Sequence, residues 1–265
     1  MRRCIVFVIS FISAIATGTA AADVTAFVNV NVLPMSAERV LAQQTVIVRD
    51  GTIRTIGDVD VIPVPEDARV VDGTDRFLIP GLAEMHAHVP PAGSNELERD
   101  LALYVANGVT TVRGMLGHAS HLQLREDLLE GRIIGPRLIT SGPSLNGRSV
   151  SGAADGARQV REQHAAGYDF VKIHPGLDDA EFAAIARTAN ELGIPFAGHV
   201  PVSVGLGNAL QAGMASIDHL DGYMAALMPP NYDASGGYGG FFDVLLAGDV
   251  DMDRIASLAE ATAAA

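Results

Sequence analysis

The sequence predicts an α/β protein: a β-rich N-terminal segment, then about six βα units of an incomplete (β/α)8 TIM barrel. Three observations predict it. Residues 24–80 hold short Val- and Ile-rich runs separated by turn residues, with no helical period. From Gly81 onward, short apolar runs alternate with segments of helical character, the rhythm of a parallel sheet with helices outside. Glycines at 108, 167 and 193 close those segments, where the left-handed backbone of a helix end favours Gly.

Residues 1–22 read as a secretory signal peptide. Met1-Arg2-Arg3 is basic, Cys4 to Ala16 is apolar, and Ala20-Ala21-Ala22 offers small residues before Asp23. The competing reading is a membrane anchor, for which the apolar run is short. The expected product is exported, periplasmic or secreted, with no stable membrane anchor after cleavage. Cys4 is the only cysteine, so no disulfide scaffold is possible.

Within residues 23–80, Val24–Val32 is a strand. Thr45–Arg49 and Thr52–Ile56 flank Asp50-Gly51, a hairpin turn signal. Val70-Val71 and Phe77–Ile79 are further short strands.

The barrel segment, 81–265, offers six strands: Leu82–Met85, Val109–Val112, Arg137–Thr140, Phe170–Ile173, Pro195–Ala197 and Ser216–Ile217. Its helices are Glu96–Asn107, His121–Glu130, Ala157–Ala166, Asp179–Leu192 and Ser203–Ala212. Met228–Phe242, rich in Gly and Pro, reads as a loop or lid, and Asp249–Ala264 as helical. A closed barrel needs two more strands. The chain therefore reads as truncated before strands 7 and 8, with open edges and poor stability expected.

Net charge is −13, which disfavours a nucleic-acid partner. The apolar share of 48% excludes wholesale disorder. A small-molecule substrate is the expected partner, and an oligomer is compatible with the open edges.

The chemistry gathers at strand ends. His86 and His88 flank Ala87 after an apolar strand, so both imidazoles share one face, a spacing able to hold one divalent metal. Lys172 is the only lysine in the chain. It alternates with Val171 and Ile173 and so faces the interior. A buried lysine can shed its proton where arginine cannot, and its neutral amine can take up carbon dioxide as a carbamate. His199 and His219 each follow a short apolar strand. His174 shares the face of Lys172, and Tyr223 follows His219 in a βα loop; both are candidates to touch substrate, with packing at a helix start the alternative for Tyr223. His118 and His121, in a polar loop and early helix, are expected on the surface, as is His164 on a polar helix face.

These residues stand in a text that resembles the amidohydrolase superfamily, in its imidazolonepropionase-like and prolidase-like branch. The resemblance rests on Ile79-Pro80-Gly81-Leu82-Ala83-Glu84-Met85-His86-Ala87-His88 and on Gly108-Val109-Thr110-Thr111-Val112-Arg113. Gly135-Pro136-Arg137, Ser141-Gly142-Pro143 and the segments around Lys172, His199 and His219 extend it. It implies that residues 23–80 are the N-terminal part of a small β-sandwich domain. It implies that His86 and His88 hold a more buried metal, that His199 and His219 hold a more exposed one, and that a carboxylated Lys172 bridges them. Zinc is the default ion. A metal-held hydroxide would attack the carbonyl of an amide, peptide-like or lactam bond. The family's catalytic Asp at the end of strand 8 has no counterpart here, so the catalytic residue is not assigned and the chain as written is expected to be inactive. Glu84 and Gly114 stand where the family often has Asp. The alternative to an enzyme fragment is a shortened, non-catalytic metal-binding or interaction protein.

Overall fold

A computed structural model describes residues 23–229, 245 and 247–265. The proposed signal peptide lies outside the described residues, as does most of the Met228–Phe242 loop. The chain divides into two compact units, with the boundary between Pro80 and Gly81.

The first unit is one five-stranded sheet. Strands β1 (Val24–Val32), β2 (Leu41–Arg49), β3 (Thr52–Asp58) and β4 (Arg69–Asp72) lie in the order β3-β2-β1-β4, and β5 (Phe77–Leu78) pairs with the far end of β1. The β2–β3 turn is Asp50-Gly51, both residues with positive φ, the backbone of a two-residue hairpin turn. Strand β1 carries a register break between Phe27 and Val30, with Asn29 at φ 57°. An extra residue flips every later side chain to the other face. Val24 and Ala26 therefore pack with Ile47, whereas Val30 and Val32 pack with Val46 on the opposite side. Among the described residues of this unit there is no second sheet to complete the expected sandwich.

Among the described residues the second unit has six parallel strands: β6 (Leu82–Ala87), β7 (Val109–Gly114), β8 (Arg137–Thr140), β9 (Val171–Ile173), β10 (Phe196–Gly198) and β11 (Ser216–Ile217). They form two sheets, β6-β7-β8 and β9-β10-β11. Single parallel bridges, Ser141 to Phe170 and Leu145 to Ile173, join β8 and its following loop to β9. Helices α1 (Leu97–Ala106), α2 (His121–Leu129), α3 (Ala153–Ala166), α4 (Asp179–Leu192) and α5 (Gly205–Gln211) alternate with them. The short α6, which starts at Tyr223 and runs to Leu227, and α7 (Ile255–Ala263) follow. No helix among the described residues is long and apolar enough to cross a membrane.

Burial explains the composition of these strands. Val171, Lys172, Ile173, Phe196 and Ala197 are all buried, as expected where a parallel sheet is covered on both faces. The main core joins Val171, Ile173 and Phe196 to Leu145, Val160, Phe182, Ile185 and Ala189 from the flanking loop and helices, and Ala197 packs with Met115 and Phe170. Helix α4 starts on a reciprocal cap: the Asp178 side chain accepts from the Glu181 backbone, and Glu181 accepts from the Asp178 backbone. Among the described residues strand β6 pairs only with β7, and its Leu82 and Met85 are half exposed.

Candidate functional site

Parallel strands bring their carboxyl ends to one edge, and that edge carries the histidines. His86 lies in β6 and His88 just beyond it. His174 follows β9, His199 follows β10, and His219 follows β11. Ring centroids are 5.4 Å apart for His86 and His88, 5.2 Å for His199 and His219, and 4.6 Å for His86 and His219. His174 joins through His199, at 4.9 Å. The structure thus draws together five of the sequence-selected histidines. Tyr223 stands apart: its hydroxyl lies 3.1 Å from Thr262 Oγ1 of α7.

Lys172 is fully buried in β9, and its Nζ donates to Asp218 Oδ2 at 2.7 Å. The same oxygen lies 3.2 Å from His86 Nδ1. The other oxygen, Oδ1, accepts from Arg113 Nη2 at 3.3 Å. Arg113 reaches across from β7: its Nη1 donates to Ser216 Oγ at 2.9 Å and its Nε to the Met85 carbonyl at 2.7 Å. One buried carboxylate therefore accepts from two strands, through Lys172 and Arg113, and lies against an imidazole of a third.

A second carboxylate sits one turn later. Asp221, 1% exposed, has Oδ2 2.7 Å from His199 Nδ1. Its Oδ1 is buried with no hydrogen-bond partner among the described residues. Asp218 and Asp221 are joined by a single 3-10 turn, closed by the Asp221 amide donating to the Asp218 carbonyl at 3.1 Å. His219 and Leu220 within it have φ of 58° and 57°. Two successive non-glycine residues in the left-handed region are costly, and such strain gathers at functional sites.

Burial sets the charge state of the cluster. It holds His86 and His174 down at about 4, with nearby Lys172 adding to the effect at both, and it lowers His88 as well. These imidazoles are neutral at pH 7 and have lone pairs to give. Burial also lowers the Lys172 amine, against the raising effect of Asp218.

Arg113, Asp218 and Asp221 were not singled out from the sequence. The one local signal was the Asp directly before His219; the partners of Arg113 and Asp221 depend on how distant strands are placed. The surface expectation for His121 is corrected. It is fully buried, its Nδ1 accepts from the His118 amide at 3.2 Å, and its Nε2–H faces the Pro90 carbonyl at 3.3 Å. It is a satisfied core residue hidden among polar neighbours in sequence. His164 is exposed on α3, as expected.

Among the described residues, no three His, Cys, Asp or Glu side chains converge as one metal-holding group. The fit is pairwise. Two imidazoles on one tetrahedral zinc place their ring centroids about 5 Å apart, given Zn–N bonds of about 2.0–2.1 Å. His86 with His88, and His199 with His219, have that separation, as does His174 with His199. The donor types suit a divalent metal: neutral imidazoles beside buried carboxylates, one oxygen of which is unpartnered.

No protein-family model matches the chain, and no curated protein does either. Solved structures do. A Xaa-Pro dipeptidase with bound methionine aligns with a TM-score of 0.63 and 19% identity, over 74% of this chain and 61% of that one. Bottromycin amidohydrolase aligns at 0.63 and 26%, over 78% and 44%. Ochratoxinase from A. niger aligns at 0.62 and 19%, over 79% and 62%. The chain shares the amidohydrolase fold. It spans between 44% and 62% of the length of these three amidohydrolase-fold proteins.

Proposed function

We propose that this chain is the N-terminal β-domain and first six βα units of a metal-dependent hydrolase that cleaves amide bonds in small molecules. The observation that carries the reading is the histidine cluster around buried Lys172 at the carboxyl ends of the parallel strands, where barrel enzymes keep their active sites. On this reading the two three-stranded sheets are consecutive parts of one barrel wall, residues 1–22 are an export signal, and the mature protein acts in the periplasm or outside the cell.

His86 and His88 would hold one ion, His199 and His219 a second, with zinc the first candidate. When bound, a divalent metal supplies Lewis acidity toward a carbonyl and lowers the pKa of a water molecule it holds. The chain's own residues do the rest. Neutral imidazoles present lone pairs without a charge to repel the ion. Lys172 would react as a neutral amine, gaining carbon dioxide and releasing one proton to give a carbamate. That product would set a second anion beside Asp218, an arrangement stable only with cations between them.

A cavity of about 490 Å³ opens beside His174, lined by Asn146, Gly147, Arg148, Pro175 and Gly176. It suits a small substrate, and the Arg148 guanidinium suits one that carries a carboxylate.

The test is to purify the full chain, measure bound metal, and assay N-acyl amino acids and dipeptides with and without a chelator. On this reading chelator-reversible metal binding is the expected result, with metal-dependent release of a free amino acid once the rest of the barrel is supplied from an amidohydrolase-fold protein. Tight metal binding without hydrolysis of any amide in that completed barrel would leave a non-catalytic metal-binding protein. Absence of metal binding under all loading conditions would overturn the reading.

A further inference from the structure

We propose that the Asp218–Asp221 turn is the orienting element of the histidine cluster. Asp218 and Asp221 are three residues apart, yet they serve histidines on two different strands. Asp218 Oδ2 faces Nδ1 of His86 at the end of β6. Asp221 Oδ2 faces Nδ1 of His199 after β10. A carboxylate can only accept, so in the His199–Asp221 hydrogen bond the Nδ1–H donates; at His86, 3.2 Å from Asp218 Oδ2, the same carboxylate favours the proton on the nitrogen that faces it. A neutral imidazole has one N–H, so Nε2 becomes the bare acceptor of both rings. A histidine held in this way has its tautomer and ring angle fixed before any ligand arrives, and its basicity raised.

The turn is itself braced for the task. Arg113 fixes the second oxygen of Asp218 from β7. The left-handed pair His219-Leu220 sends the backbone back sharply, so that two carboxylates three residues apart face different strands. Neither Asp has an exposed side to water: Asp218 is 7% and Asp221 1% exposed. Buried acids without a catalytic contact of their own are expensive, and here each is matched to a ring nitrogen.

The inference rests on the metal-centre reading only for its consequence, since the tautomers are a property of the metal-free chain. The experiment uses the full chain labelled with 15N-histidine. Long-range 1H–15N spectra of the metal-free protein report which nitrogen of each ring bears the proton, and zinc titration then reports affinity. The expected result is the Nδ1–H tautomer at both His86 and His199. Asp221→Ala should release His199 to the other tautomer and weaken zinc binding about 10- to 100-fold, the usual cost of removing such a partner. Asp221→Asn, whose amide oxygen can still accept, should restore the Nδ1–H tautomer and most of the affinity. Because Asp218→Ala also strips the partner from Lys172 and can unfold the chain, Arg113→Lys and Arg113→Gln serve for that half. The Gln variant should lose the His86 tautomer and the Lys variant should keep it.

An Nε2–H tautomer at both rings of the unsubstituted chain would overturn the inference, whatever the metal data say. Zinc affinity unchanged in Asp221→Ala, with folding intact, would overturn it as well. Correct tautomers in a chain that binds no zinc would support the orienting turn and remove the metal-centre reading instead.

Discussion

Lys172 Nζ and Asp218 Oδ2 meet at 2.7 Å in a part of the protein where the lysine is wholly shielded from water. A chain that meets every other need for a basic side chain with arginine holds its single amine here against a carboxylate. The pair is the electrostatic centre of the site, and its removal has asymmetric consequences.

Asp218→Ala leaves Lys172 and Arg113 without their shared partner. Breaking a buried pair from one side costs about 3–5 kcal/mol, because the orphaned charge stays buried. Lys172→Met keeps Asp218 matched to Arg113 and His86 and should cost clearly less. The double variant should be more stable than Asp218→Ala alone. Urea unfolding of the four proteins measures this, and strictly additive costs would show that the two side chains are not coupled.

Stability should fall as pH drops from neutrality. His86 and His174 are held at about 4 in the folded chain, against 6.5 when free, chiefly by burial. Their folded pKa is depressed, so above 6.5 neither state binds the proton and nothing is lost. Between 6.5 and 4 the unfolded chain takes up protons that the folded chain refuses, on the order of two from these residues. The unfolding midpoint should decline through that window, and His174→Asn should flatten the slope. A midpoint constant from pH 7 to pH 5 would contradict this account of the cluster.

Gly198 should tolerate no side chain. Its φ is 129°, and an added Cβ would meet the Ile173 carbonyl at 2.3 Å and Lys172 Cδ at 2.8 Å. Gly198→Ala combines backbone strain with a collision against the lysine stem, next to His199. The expected loss is about 2 kcal/mol or more, read as a lower thermal midpoint together with weaker metal uptake. Gly207→Ala, where the added atom meets nothing within 4 Å, is the control and should be near neutral.

Zinc should stabilise the chain in proportion to its occupancy. At free zinc about 100-fold above Kd the gain is about 2.7 kcal/mol, visible as a raised thermal midpoint that a chelator reverses. Paired replacement of His86 and His199 by Asn should abolish the rise. A rise that survives in that variant would place the ion elsewhere.

How much of this was legible in the sequence follows from the range of the forces involved. Val24–Val32, Arg137–Thr140, Ser216–Ile217 and Asp179–Leu192 have the same limits in the structure as in the sequence reading, because apolar runs, caps and terminal glycines are local signals. Helix α3 begins at Ala153, earlier than the Ala157 expected from the sequence. Gly156 lies within it, at a place where Ile185 leaves no room for a larger residue. The flip of faces along β1 needed the bulge at Asn29, which no alternation pattern announces. In the site, the strand-end histidines and Lys172 were readable from their neighbours. Asp218, Asp221 and Arg113 were not, since their meaning comes from partners on strands far away in the chain.

His86 and His219 lie 4.6 Å apart although strands β7 to β10 and helices α1 to α5 separate them in sequence. Contacts between such distant points are made late, after the intervening strands and helices have paid their ordering entropy. The cluster is therefore a clock as well as a site. A spectroscopic probe on either histidine would time the arrival of the last strand against the first, and slow assembly there would leave the half-exposed edge of β6 open to wrong partners for the longest interval.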